Sequence, residues 1–311
     1  MARAWAWFRG LPAWVAGLII TALILGWTGL VLNGTIPFMG DPVPFEPSPS
    51  ASASAVPSNS PQPSASPTAP GEPSWALPPP GTPWQIELDG GVPSDPGARI
   101  VTVDYEVSAA SVAELHEGGA YVICYVSVGT VEDYRDDAGS FPDRVVGTTL
   151  PDWPDERYLD IRDLETLGPL WAARLDTCAA KGFDAVDPDN IDSFENDSGF
   201  PLTRDDAVAM MMWLADAAHE RGLGIGQKNT PSLTPELVGI LDFAVTEQCL
   251  TQGWCGDMAP YVEAGKPVLA IEYVEEGATL EALCLPAEAT GLSLLVSTLD
   301  LVGDGARCPA G

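Results

Sequence analysis

Carboxylates dominate the chemistry open to this 311-residue chain: 44 Asp and Glu stand against 14 Lys and Arg, with only two histidines. From residue 81 onward they recur at the ends of short apolar runs. Asp104, Asp187, Asp189, Glu247, Glu272 and Asp300 occupy such positions, as do Tyr125, Ser127 and the pair Lys228 and Asn229. If those run ends converge, separate carboxylates suit cleavage of a glycosidic bond. One protonates the leaving oxygen and another attacks the anomeric carbon or activates water. Crowding also helps, because like charges in one cleft raise the pKa of at least one member. Lys228 can pair with one carboxylate and keep it ionised while the other holds its proton. Trp84, Tyr105, Tyr125, Trp153 and Tyr273 lie near the same ends and can stack on sugar faces or pack in the core.

Other chemistries are poorly served. Ser127 has no G-x-S-x-G around it and no histidine within plausible reach. Two histidines are too few for a His-rich zinc site, although a carboxylate site for a hard cation stays open. No G-x-G-x-x-G or Walker sequence opens a helix. This reading calls for no cofactor and no metal. A net charge of -30 opposes nucleic acid and anionic lipid surfaces. His116 and His219 fall in helices that precede strands, where capping or surface roles are expected, and Asp300 reads as structural.

The elements that must position these residues follow from periodicity. Eight apolar runs recur near Trp84–Leu88, Ile100–Val103, Tyr121–Val128, Phe183–Val186, Leu223–Gly226, Phe243–Thr246, Val268–Ile271 and Leu292–Ser297. Helical patterns lie between them at Ser111–Glu117, Leu164–Ala180 and Asp205–Glu220. G-G-A-Y, K-G-F-D, R-G-L-G and A-G-K-P each read as a helix C-cap leading into a strand. Eight βα units predict an α/β fold, a (β/α)8 TIM-type barrel, with an open doubly wound sheet as the alternative.

Composition divides the chain. Residues 1–10 read as a short cytoplasmic N-terminus. Residues 11–32 carry no charge, and 22 helical residues span about 33 Å, enough to cross a bilayer. Arg3 and Arg9 precede this segment and the next basic residue is Arg99, which places the rest of the chain outside the cell. With no A-x-A pattern, the segment reads as a transmembrane signal anchor; cleavage would make the protein secreted. Residues 33–80 hold fourteen Pro and nine Ser and read as a disordered Pro/Ser-rich linker. Residues 81–311 form the barrel domain. They contain 41 acidic and 12 basic residues, hence -29, and all six cysteines. An even cysteine count outside the membrane suggests disulfides. Fifteen pairings are possible. Cys249 with Cys255 is the favoured one as a short closure, and Cys284–Cys308 and Cys124–Cys178 follow only by elimination.

The runs V-I-C-Y-V-S-V-G-T-V-E-D-Y-R-D-D, W-P-D-E-R-Y-L-D-I-R, K-G-F-D-A-V-D-P-D-N-I-D-S-F, then K-N and V-T-E-Q-C, resemble glycoside hydrolase family 114 from Trp84 to about Tyr273. That family holds endo-α-1,4-polygalactosaminidases on a (β/α)8 barrel. The resemblance implies that Asp189 and Glu247 are the acidic pair. Its E-P-D-N is matched by D-P-D-N at Asp187–Asn190, with Asp187 one methylene short. Around the pair, Trp84, Asp104, Tyr125, Asp187, Asn190, Lys228, Asn229, Glu272 and Tyr273 are the expected substrate-binding residues. The implied partner is a cationic amino-sugar polysaccharide, which a domain at -29 would attract. Two other readings remain: a stalked cell-surface polysaccharide-binding protein without catalysis, and a divalent-cation-dependent enzyme.

Overall fold

A computed structural model describes residues 75–308, apart from residue 90, residues 94–96 and residue 304. The expected membrane segment 11–32 and most of the Pro/Ser-rich stretch lie outside the described residues. Among the described residues no helix is long and apolar enough to cross a membrane.

Eight parallel strands carry the domain: β1 (Trp84–Glu87), β2 (Ile100–Asp104), β3 (Tyr121–Ser127), β7 (Ala185–Asp189), β8 (Gly224–Lys228), β9 (Phe243–Glu247), β10 (Val268–Tyr273) and β11 (Ser293–Ser297). They pair in that order, and β12 (Ala306–Arg307) adds antiparallel to β11. Helices at Ala109–Glu117, Leu164–Lys181 and Arg204–His219 run between strands where the periodicity places them, and a further one at Leu280–Thr290 precedes β11. The arrangement fits a TIM-like barrel.

The sheet curls until its first and last strands share one core. Trp84, Ile86, Ile100, Ile123, Ala185, Phe243, Val245, Leu269, Ile271 and Leu295 form a single buried cluster fed by seven of the eight strands. The seam between β1 and β11 is bridged by the C-terminal segment. Leu301 O accepts from Leu88 N at 3.2 Å, and Gly303 O accepts from the Gln85 amide at 3.3 Å. A second apolar cluster, including Trp171, Leu175, Met211 and Leu214, fills the layer between strands and helices.

Residues 130–159 form an insertion that the eight-run pattern does not reveal. β4 (Thr130–Glu132), β6 (Glu156–Leu159) and β5 (Val146–Thr149) make a small antiparallel sheet in the order β4-β6-β5. Gly129 sets its place. A Cβ there would lie 1.7 Å from the Asn190 carbonyl oxygen, so only glycine lets the turn after β3 press against the end of β7.

Three disulfides join Cys124 to Cys178, Cys249 to Cys255 and Cys284 to Cys308. Trp75, in the stretch assigned to the linker by composition, stacks on His219 with ring centroids 3.7 Å apart.

Candidate active site

Strand parity decides which carboxylates enter the mouth. Successive side chains alternate between the two faces of a strand. Asp189 ends β7, Lys228 ends β8 and Glu247 ends β9, so three consecutive strands deliver acid, base and acid to one rim. The chain turns sharply after each one. Asn190 (φ 63°), Asn229 (φ 45°) and Gln248 (φ 59°) are non-glycine residues in left-handed conformations immediately beyond the three functional side chains. Such backbone is held in place at an energetic cost, and it clusters where side chains must be aimed.

A cleft of about 350 Å³ opens at this rim. Asp189 and Glu247 both line it, with Asp104, Tyr125, Asn190, Lys228, Asn229 and Tyr273. Strands two apart are separated by roughly 10 Å at their backbones, and the carboxylates project from there into the cleft. Each is fixed by several donors. Asp189 accepts from the Tyr125 hydroxyl at 2.7 Å and from the Asn190 backbone at 2.8 Å, with the Lys228 ammonium 3.5 Å away. Glu247 accepts from the Asn229 amide at 2.7 Å and from the Tyr273 hydroxyl. Asn229 also takes the Glu247 backbone N–H at 2.7 Å, so one side chain clamps both ends of the residue.

Electrostatics follow burial. Lys228 is 3% exposed. Burial works against its charge, yet the carboxylates of Asp187, Asp189 and Glu247 outweigh it and hold the ammonium well above the ordinary lysine range. Burial raises the hydroxyl pKa of Tyr125, and Asp189 raises it further; burial and Glu247 do the same for Tyr273, so both remain hydrogen-bond donors. Burial also pushes Asp192, at the cleft wall, up to about 6.

Three expected substrate-binding residues lie elsewhere. Trp84 is fully buried in the barrel interior because it begins β1 instead of ending it. Asp187 is fully buried beneath the rim, its carboxylate 3.6 Å from Lys228. β7 runs through Asp189, beyond the expected end at Val186, so Asp187 is one inward position deeper. Its pKa is pushed up to about 6 by burial, with Lys228 opposing. Glu272 falls between the inward Ile271 and Tyr273 and points to the outer face. There it accepts from the backbone N–H groups of Leu250 and Thr251 at 2.7 and 3.2 Å, capping the turn held by Cys249–Cys255. Asp104 does reach the cleft, but as a bidentate partner of Arg135 at 2.6 and 2.8 Å.

Glu156, Asp192 and Arg135 line the cleft although the run-end pattern does not mark them, and Asp300, which reads as structural in the sequence, lines it too. Glu156 and Arg135 belong to the inserted sheet or its connections. Their signal was present in Y-R-D-D and W-P-D-E-R-Y, yet nothing in those motifs alone reports that they fold over the mouth.

A TIM-like barrel with two hydrogen-bonded carboxylates lining one cleft at its mouth is an arrangement suited to the glycoside hydrolases. Within that class the chain belongs to glycoside-hydrolase family GH114, whose model matches residues 64–310. The chain is similar to Ega3 of Aspergillus fumigatus, solved in complex with galactosamine. The two are 33% identical with a TM-score of 0.70, over 75% of this chain and 97% of that one. The glycoside hydrolase domain of PelA from Pseudomonas aeruginosa shares the fold at 18% identity and a TM-score of 0.59, over 74% of this chain and all of that one. An uncharacterized protein of Deinococcus radiodurans is 28% identical over 207 residues, which is 56% of this chain; the match spans 63% of that relative's length.

Proposed function

We propose that the protein hydrolyses α-1,4-linked, galactosamine-containing polysaccharide by two-carboxylate chemistry. The carrying observation is the placement of Asp189 and Glu247 on one cleft with Lys228 on the strand between them. The galactosamine bound by the similar Ega3 supports the substrate class. A domain at -29 would also gather a polycation electrostatically.

Lys228 forms ion pairs with Asp189 and Asp187. That arrangement suits Asp189 to the role of the carboxylate that works ionised, as nucleophile or as base toward water. Glu247 is then the acid that gives its proton to the leaving glycosidic oxygen. If Asp189 attacks the anomeric carbon, a glycosyl ester forms and water releases the sugar with retention. If it takes a proton from water instead, the configuration inverts. The departure at Asp187 gives no support to a binding-only reading, because its carboxylate contacts Lys228 below the cleft.

The uncharged segment 11–32 and the flanking Arg3 and Arg9 support a single-pass membrane anchor with the domain outside the cell. Sedimentation of the full chain with membranes, against its release after removal of residues 1–32, tests this.

The function is tested by Asp189→Asn and Glu247→Gln, assayed separately for release of amino-sugar oligomers. A loss of about 10²- to 10⁴-fold in kcat is expected for each. Turnover within twofold of the parent in either variant removes that residue from its role.

A further inference from the structure

The insertion over the mouth brings a group of charged side chains together, and one carboxylate among them forms no direct ion pair among the described residues. Arg135 is bonded to Asp104 at 2.6 Å and to Glu132 at 2.8 Å. Arg174 is bonded to Asp137 at 2.7 Å and lies 3.7 Å from Glu132. Glu156, beside them on β6, forms no ion pair among the described residues. Its Oε2 accepts from the Thr130 hydroxyl at 2.8 Å, and Thr130 in turn lies 2.5 Å from the Ser127 hydroxyl. The Asn190 amide donates to both hydroxyls, at 3.0 and 3.2 Å. This chain of hydrogen bonds fixes Glu156 relative to the residue that follows Asp189. Glu156 is 8% exposed, and the exposed part faces the cleft.

A carboxylate held this deep without an ion-pair partner is expensive unless a ligand brings one. We propose that Glu156 is the residue that selects a free amine, receiving the ammonium of the amino sugar bound beside Asp189. This rests on the substrate class proposed above. The neighbouring cations are already engaged, so a substrate ammonium would form with Glu156 a charge-assisted hydrogen bond that no side chain of the protein supplies. An N-acetylated sugar has no charge to offer and would leave Glu156 buried against an amide.

The free side chain is disposed accordingly. Its pKa is pushed up to about 7 by burial first and then by the charges of Glu132 and Asp189, with the Thr130 hydrogen bond and Arg135 opposing. At pH 6 the unliganded residue is mostly protonated whereas an amine is already cationic, so amine binding releases a proton from Glu156.

The test is calorimetric binding of galactosamine oligomers, and separately of N-acetylgalactosamine oligomers, to the full chain and to Glu156→Gln. The amide is isosteric and keeps an oxygen for Thr130. Binding of the amine form is expected to weaken about tenfold or more in the variant, with binding of the acetylated form within twofold. Proton release at pH 6, read from the dependence of the heat on buffer ionisation, is expected in the parent and absent in the variant. Equal affinity of parent and variant for the amine form overturns the proposal, as does unchanged proton release. Thermal unfolding checks that the variant is folded; should it not be, Glu156→Asp, which withdraws the charge by one methylene, is expected to show the same selective loss. The readout does not need turnover. Amine-selective binding through Glu156 without chain cleavage would leave this proposal standing and defeat the hydrolase reading, whereas cleavage with no Glu156 effect does the reverse.

Discussion

At the N-terminal end of the barrel, Asp184 precedes β7 and Asp242 precedes β9. Asp184 accepts from Val122 N on the neighbouring strand at 2.7 Å and contacts His116 Nε2 at 2.9 Å. Asp242 repeats this with Ile225 N and His219 Nε2, both at 3.0 Å. Each aspartate thus ties a strand to its neighbour and to the helix leading into that neighbour. At the C-terminal end the same residue type is left under-compensated. Asp187, Asp192 and Glu156 all have raised pKa values, burial being the leading cause in each. The backbone there is in left-handed conformations at Asn190, Asn229 and Gln248. One end satisfies its acids with the protein's own donors, and the other holds them in reserve for a ligand.

The largest effect expected from this contrast is at Lys228, the cation shared by Asp187 and Asp189. Lys228→Met leaves the buried Asp187 carboxylate without its cation beneath the charge of Asp189, and should destabilise the domain by about 3–5 kcal/mol at pH 8. Because Asp187 has a pKa near 6, lowering the pH to 5 protonates it in the variant and should recover part of that loss. Chemical unfolding at the two pH values measures the difference; an identical loss at both would mean that Lys228 acts through packing alone.

A smaller effect separates the ends. Asp242→Ala should lower stability by about 1–3 kcal/mol, since it orphans Ile225 N and the His219 ring while leaving the mouth untouched. Its kcat and KM should stay within twofold of the parent. A large change in kcat at unchanged stability would show that the N-terminal end also positions the catalytic groups.

How much of this contrast can be read from sequence depends on which physical signal each residue rides on. Eight strands are legible because their apolar runs are punctuated by glycine caps, and with them the delivery of Asp189, Lys228 and Glu247 to a common rim. Depth along a strand is harder. The acidic run in β7 hides where the strand ends, which is why Asp187 reads as a rim residue although it lies one layer below. Parity is lost for Glu272, since β10 is buried on both faces and shows no alternation. β4, β5 and β6 are only three or four residues long, too short for a period to emerge, and so Glu156 has no visible context.

Glu156 also gives an effect no larger than that of Asp242, and one whose sign distinguishes the two kinds of acid. Its carboxyl has an ordinary pKa of 4.5 and is pushed up to about 7 in the fold. A folded pKa above the unfolded one means that the native state holds the proton more tightly. The stability this gives is complete below about 4.5 and is lost as pH rises through about 7. Glu156→Gln has no charge to bury, so it should match the parent at pH 5 and exceed it by about 2 kcal/mol at pH 8. An acid of the N-terminal kind would behave oppositely, since removing its charge would orphan the donors it satisfies. Unfolding curves for the variant at the two pH values therefore assign Glu156 to one end's logic or the other's. A variant weaker than the parent at pH 8 would place it with Asp184 and Asp242, as a side chain whose hydrogen bonds the fold needs.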